Sequence, residues 1–158
     1  MLRIVAGVVL GYVVMAAVVF IGLTAAWFAL GPDGAFRPDV YELSVVWIVA
    51  SIVVGIIAAL LGGVVSRRVS RTIAATWALA GLVLVIGIVS AMPVLRAGPV
   101  ESAARTDAPD MFEAMQQART PLWLALLNPL IGVAGVLVGG GAIARGSRAA
   151  PQERRVPV

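Results

Sequence analysis

The chain has 158 residues, 61% of them apolar and 13% charged, and a formal net charge of +4. Its mean hydropathy is +1.01, and its charged share is about half that of an ordinary soluble domain, which excludes a water-soluble fold. There is no cysteine or histidine, and all twelve basic side chains are arginine, so disulfides, thiol chemistry and imidazole or thiolate metal sites are excluded.

Four stretches reach the roughly 20 residues that a helix needs to cross the hydrocarbon core: 4–30, 43–65, 73–92 and 122–144. The expected fold is an all-α integral membrane protein. Its four transmembrane helices form two antiparallel hairpins, with a short outer amphipathic helix between helices three and four. The first stretch follows Arg3 and contains Thr24-Ala25-Ala26, as a signal peptide would. It is far longer than the roughly 7–15 apolar residues of such a segment, and Trp27 follows directly, so it is read as a retained helix.

The first connection, "GPDGAFRPDVYELS", is dense in turn residues. Gly31-Pro32 should end helix one, and Pro32-Asp33-Gly34 is a turn signal. Ser44 or Asp39 is placed to cap helix two. Arg37 is placed to pair with Asp33 or Asp39.

The second connection, Ser66–Thr72, carries Arg67, Arg68 and Arg71 and no acid. With Arg145 and Arg148 in the tail, these arginines are topology anchors and headgroup contacts. The other reading of this run is a specific anionic ligand site. The arginine bias puts both termini and the second connection in the cytoplasm, and the first and third connections outside. Lysine is absent while Ala, Val and Gly abound. That bias fits a GC-rich bacterial genome, and so a bacterial inner membrane. The aromatic residues fit the same frame. Trp27, Phe28, Tyr41, Trp47 and Trp123 fall at outer helix ends and Trp77 at an inner one, as expected of interfacial belts.

The third connection is too long to lack structure. Asp107 is a plausible cap for a surface helix over 109–118, which would bring Met111, Met115 and Ala118 close to one face. Such a helix would lie on the membrane or across the bundle mouth. Phe112 with the two methionines also offers a lid or docking surface. Thr120-Pro121 reads as N-cap and first residue of helix four.

No ionisable residue falls in the middle of any span, which argues against ion-coupled transport or a proton relay. Ser51 and Ser90 have no candidate base, and Gly139-Gly140-Gly141 lacks the Lys-Ser/Thr of a phosphate loop. The polar point is "LLNPLIG". There Asn128 and Pro129 either kink helix four and join it to a neighbour or line a small pocket open to the outside. With Tyr12, Thr24 and Ser51, Asn128 is almost the whole polar inventory of the spans. Tyr12 is expected to lie too deep to meet it. Small residues recur at helical spacing: Gly7 with Gly11, Gly55 with Ala59, Ala59 with Gly63, and Gly135 with Gly139. These faces allow close helix contacts, within the chain or between copies. Helices two and four echo each other, each running from an outer Trp to an inner Gly pair and arginines.

Residues 1–144 are thus one transmembrane domain, and 145–158 a basic cytoplasmic tail. The leading expectation is a structural or accessory role in a membrane complex or homo-oligomer, with membrane lipids and a membrane-protein partner, and with no nucleic acid, cofactor or metal. The alternative is a channel or carrier for a small, weakly polar or lipid-like solute. An enzyme would need Asp107, Asp110 or Glu113 to converge with Asp33 or Asp39.

Overall fold

A computed structural model describes residues 1–38, 40–97, 114 and 116–141. It is all-helical, with α1 (Leu2–Ala35), α2 (Val45–Ser70), α3 (Ile73–Ala97) and α4 (Leu122–Gly139). All four are long and apolar enough to cross a membrane.

Helix α1 breaks where Gly31 adopts φ 64° and ψ −180°. Pro32 drives the preceding residue out of the helical region, and only glycine takes this backbone conformation cheaply. One further helical turn follows, closed by the Phe36 N–H donating to the Pro32 carbonyl at 3.0 Å. Ser44 caps α2: its Oγ accepts the Trp47 N–H at 3.0 Å and donates to the Gly34 carbonyl.

Helix α2 does not stop at Val65 but runs on through Ser70, so Arg67 and Arg68 lie on the helix and the connection shrinks to Arg71 and Thr72. No glycine or proline interrupts residues 64–70. Ser70 Oγ donates to the Ser66 carbonyl at 2.7 Å and accepts the Thr72 N–H at 3.3 Å. Arg71 then ends the helix in the left-handed conformation, φ 57°.

Helix α3 likewise continues past Met92 and through Pro93. Helix α4 starts one residue later than Thr120-Pro121 led us to expect. Pro121 itself is the N-cap, with extended backbone and no side-chain cap. Its carbonyl accepts from Leu124 and Ala125 at 3.0 and 3.1 Å. The helix closes at Gly139, with Gly140 and Gly141 in a turn, short of the expected 144. Positions 142–144, the tail with Arg145 and Arg148, Asp39, and most of the expected surface helix lie outside the described residues. Of that helix, Ala114, Gln116 and Gln117 are helical, and the Ala118 N–H donates to the Ala114 carbonyl at 2.9 Å.

Helix α2 packs on α1 and α4, and α3 packs mainly on α4. Gly7 of α1 meets Ser66 and Ser70 of α2, while Gly22 meets Val54, so the pair is antiparallel. Gly87 of α3 meets Pro129 of α4, and Thr76 meets Gly140, so this pair is antiparallel too. Ala59 with Gly135 and Gly63 with Gly140 set α2 and α4 parallel.

Two cores result. At the arginine end, where the chain begins, Ala59, Leu79, Ala80 and Val136 are buried with Val8, Met15, Val83, Val133 and Leu137 around them. At the opposite, cap end, Ala35, Phe36, Tyr41 and Ala114 are buried under Trp27, Leu43, Trp47 and Ala118. A short ladder builds that cap. The Arg37 N–H donates to the Glu42 carbonyl, the Ser44 N–H to Ala35 and the Arg119 N–H to Tyr41, each at 2.9 Å.

Candidate apolar cavity

Helices α1 and α3 touch near Gly11 and Leu79. Toward the cap end a cavity of about 610 Å³ opens beside α1. Its wall takes Tyr12, Met15, Ala16, Val19, Phe20, Leu23, Thr24 and Trp27 from that helix. These residues recur every three or four positions, so they form one continuous helix face. From Tyr12 to Trp27 the face is about 22 Å long at 1.5 Å per residue. Phe36, Leu43, Trp47, Ala114, Ala118 and Thr120 close it at the cap end. Of the fourteen lining residues only Tyr12, Thr24 and Thr120 carry a side-chain hydroxyl, and none is charged.

A second cavity of about 380 Å³ lies alongside, walled by Val83, Ile86, Gly87, Ser90, Ala91 and Val94 of α3 and by Ala125, Asn128 and Pro129 of α4. Tyr12, Met15 and Thr120 line both spaces. An apolar wall of this kind accepts hydrocarbon and rejects an unpaired charge, which has no counter-ion or hydrogen bond there.

The cap over this space is held by ring contacts. Trp27 meets Trp47 edge-on at 6.2 Å and Phe36 at 6.3 Å, and Phe36 meets Tyr41 at 5.4 Å. Edge-to-face geometry of this kind adds about 0.5–1.5 kcal/mol per pair beyond area burial. The expected belt is therefore divided. Trp27 and Trp47 are half-buried and Tyr41 is fully buried, while Phe28, Trp77 and Trp123 stay exposed.

Asn128 is exposed and faces the second cavity, and no hydrogen bond joins it to a neighbouring helix among the described residues. Pro129 is buried with its ring on Gly87, where an added Cβ would come within 2.6 Å of Pro129 Cγ. The helix runs through it unbroken. Tyr12, expected too deep to meet Asn128, lines the same space.

The small-residue positions behave unevenly. A Cβ on Gly7 would sit 2.8 Å from the Ser66 carbonyl oxygen, and one on Gly11 would sit 2.9 Å from that of Gly62. Gly63 lies against the Val136 carbonyl, Gly139 against that of Leu60, and Gly135 against Ala59. These contacts are within one chain. Gly55 has nothing within 4 Å of an added Cβ.

Arg37 pairs with Glu42 at 2.9 Å, because the cap ladder places residues 37 and 42 opposite each other; Asp39, one of its expected partners, lies outside the described residues. Arg67 is half-buried, and Arg68 and Arg71 are exposed, all at the arginine end. Asp107, Asp110 and Glu113 lie outside the described residues. Among the described residues no group of three or more acidic, His or Cys side chains is placed to hold a metal. The cavity face of α1 was not singled out from sequence. Its spacing is regular, but α1 is apolar on every side, so periodicity carries no contrast there.

No family model, curated protein or solved structure matches this chain.

Proposed function

We propose that this is a small multi-pass membrane protein that holds a weakly polar, lipid-like solute in the cavity that runs along α1 below the cap. The observation that carries this reading is the uncharged, 22 Å-long face of α1 (about 1.5 Å per residue) that lines a space of about 610 Å³. Left empty, such a face forfeits its dispersion contacts, and a hydrocarbon chain restores them. In the membrane the helices stand as two antiparallel hairpins, α1–α2 and α3–α4, supported by the close contacts within each pair. The arginine end faces the cytoplasm of a bacterial inner membrane, on the grounds of its arginine bias, and an amphipathic helix over 109–118 lies at the outer mouth.

The test is native mass spectrometry of the protein extracted gently from its own membrane. The wild type should carry a recurrent lipid-like mass that the cavity-filling variant Ala16→Trp loses. A wild type without such a mass contradicts the reading.

A structural or accessory role in a homo-oligomer or membrane complex is the second reading. Gly55 favours it, because this small residue on α2 opens to the bundle exterior, where a further helix can approach. Most of the other Gly and Ala positions that motivated it are occupied inside the chain. The same spectra test it: a fixed stoichiometry with copies or a partner supports it, and a bare monomer opposes it.

A further inference from the structure

Of the two slots beside α1, the second gathers polar side chains that are scarce elsewhere in the spans. Four of its twelve lining residues, Tyr12, Ser90, Thr120 and Asn128, carry a hydroxyl or a carboxamide, and none of the twelve is charged. They come from α1, from α3, from the segment before α4 and from α4 itself. Packing sets two of them level. Gly87 lies against Pro129 across the antiparallel α3–α4 pair, so Ser90 and Asn128 differ by only about 3 Å in height at 1.5 Å per residue.

These groups have hydrogen-bonding capacity to spare. Ser51 and Ser70 turn their hydroxyls back onto the carbonyls of Trp47 and Ser66, each at 2.7 Å. Ser90 and Asn128 are exposed, and neither side chain has a hydrogen bond among the described residues. The main chain adds acceptors. Pro93 lies within α3 and Pro129 within α4, and a proline has no N–H for the carbonyl four residues back. The carbonyls of Val89 and Ala125 thereby lose their helical donors. Val89 adjoins Ser90, and Ala125 is part of the lining. At hydrocarbon depth a polar group without a partner is costly, and a bound donor or acceptor recovers that cost.

We infer that the second slot binds the hydroxyl end of an uncharged, membrane-dissolved alcohol, with the Asn128 carboxamide as its main hydrogen-bonding group. A hydroxyl both donates and accepts, so it uses the amide N–H of Asn128 together with a freed carbonyl. A ketone or ether uses the donor alone. The hydrocarbon part lies against Val83, Ile86 and Val94. A charged group finds no counter-ion in these walls. Water fits less well than an alcohol, because eight of the twelve lining residues carry no hydroxyl, amide or charge. The slot acts in this way whatever occupies the cavity along α1.

The test is photolabelling of the full-length protein in lipid nanodiscs with a diazirine-bearing octanol, with the labelled residues located by peptide mass spectrometry. Labelling should fall on the α3 and α4 residues of the slot. Octanol should compete for it about fivefold better than octane or octanoate at equal concentration in the bilayer, a gap of about 1 kcal/mol. Asn128→Leu should remove that advantage, and Asn128→Gln, which keeps the carboxamide, should retain part of it. Equal competition by octane, or an advantage that survives Asn128→Leu, overturns the site. Rapid reaction of Asn128→Cys with a water-soluble thiol reagent also overturns it, because the slot then holds water. Labelling that Ala16→Trp abolishes and Asn128→Leu leaves intact overturns it as well, but puts the alcohol in the cavity along α1, and the lipid-like reading of that cavity stands.

Discussion

The two ends of this bundle are built by different means. At the arginine end, Gly7, Gly11, Gly63, Gly135 and Gly139 bring helix backbones together, and a Cβ at any of them meets a neighbouring helix. At the cap end, Trp27, Phe36, Tyr41 and Trp47 pack edge-to-face over a ladder of main-chain bonds. That end leaves open space along α1 below the cap and between α1 and the α3–α4 pair. Small residues draw helices together when lipid supplies no hydrophobic drive, and bulky rings hold helix ends at a distance. A chain with almost no polar chemistry in its spans can therefore still leave an apolar cavity, by grading side-chain size along the helices.

The sharpest way to break this contrast is at its tight end. Gly139→Leu or Gly63→Leu sets a side chain against backbone rather than against a yielding neighbour, and should cost about 3 kcal/mol or more. Thermal unfolding in detergent would show it. At the cap end Trp47→Ala should cost about 2 kcal/mol by the same measurement. That is less than for a fully buried tryptophan, because Trp47 is only half-buried. Arg37→Ala removes an exposed ion pair and should shift stability by less than about 1 kcal/mol. Gly55→Ala, at a face open to the exterior, should change monomer stability by no more than about 0.5 kcal/mol. A large loss there would mean that the position is covered.

The sequence made the four spans plain, because long apolar runs have no other soluble or structural home. Helix ends were less legible. Ser66–Ser70 looks like a connection by its charge, but it has good helix formers and no breaker, and Ser70 closes its own end. The Ser44 cap was readable from local chemistry. The Arg37–Glu42 pair was not, since it depends on the register of residues brought together by the cap. Asn128 stood out because polarity is rare in these spans. The α1 wall did not stand out, since hydropathy cannot tell a face that meets a helix from one that meets a cavity. Six aromatic residues were assigned to the membrane interface, although Trp27 and Trp47 pack on each other and Tyr41 packs on Phe36.

The central claim is that α1 and α3 meet at the arginine end and part toward the cap end. The chain has no native cysteine, so paired substitutions report this cleanly by disulfide cross-linking in membranes. Val8→Cys with Leu79→Cys should link readily, because both side chains belong to the same core. Leu23→Cys with Ala91→Cys should stay unlinked, because each lines a different slot. If Leu23→Cys and Ala91→Cys link as readily as the first pair, the slots are closed in the membrane and the account is contradicted.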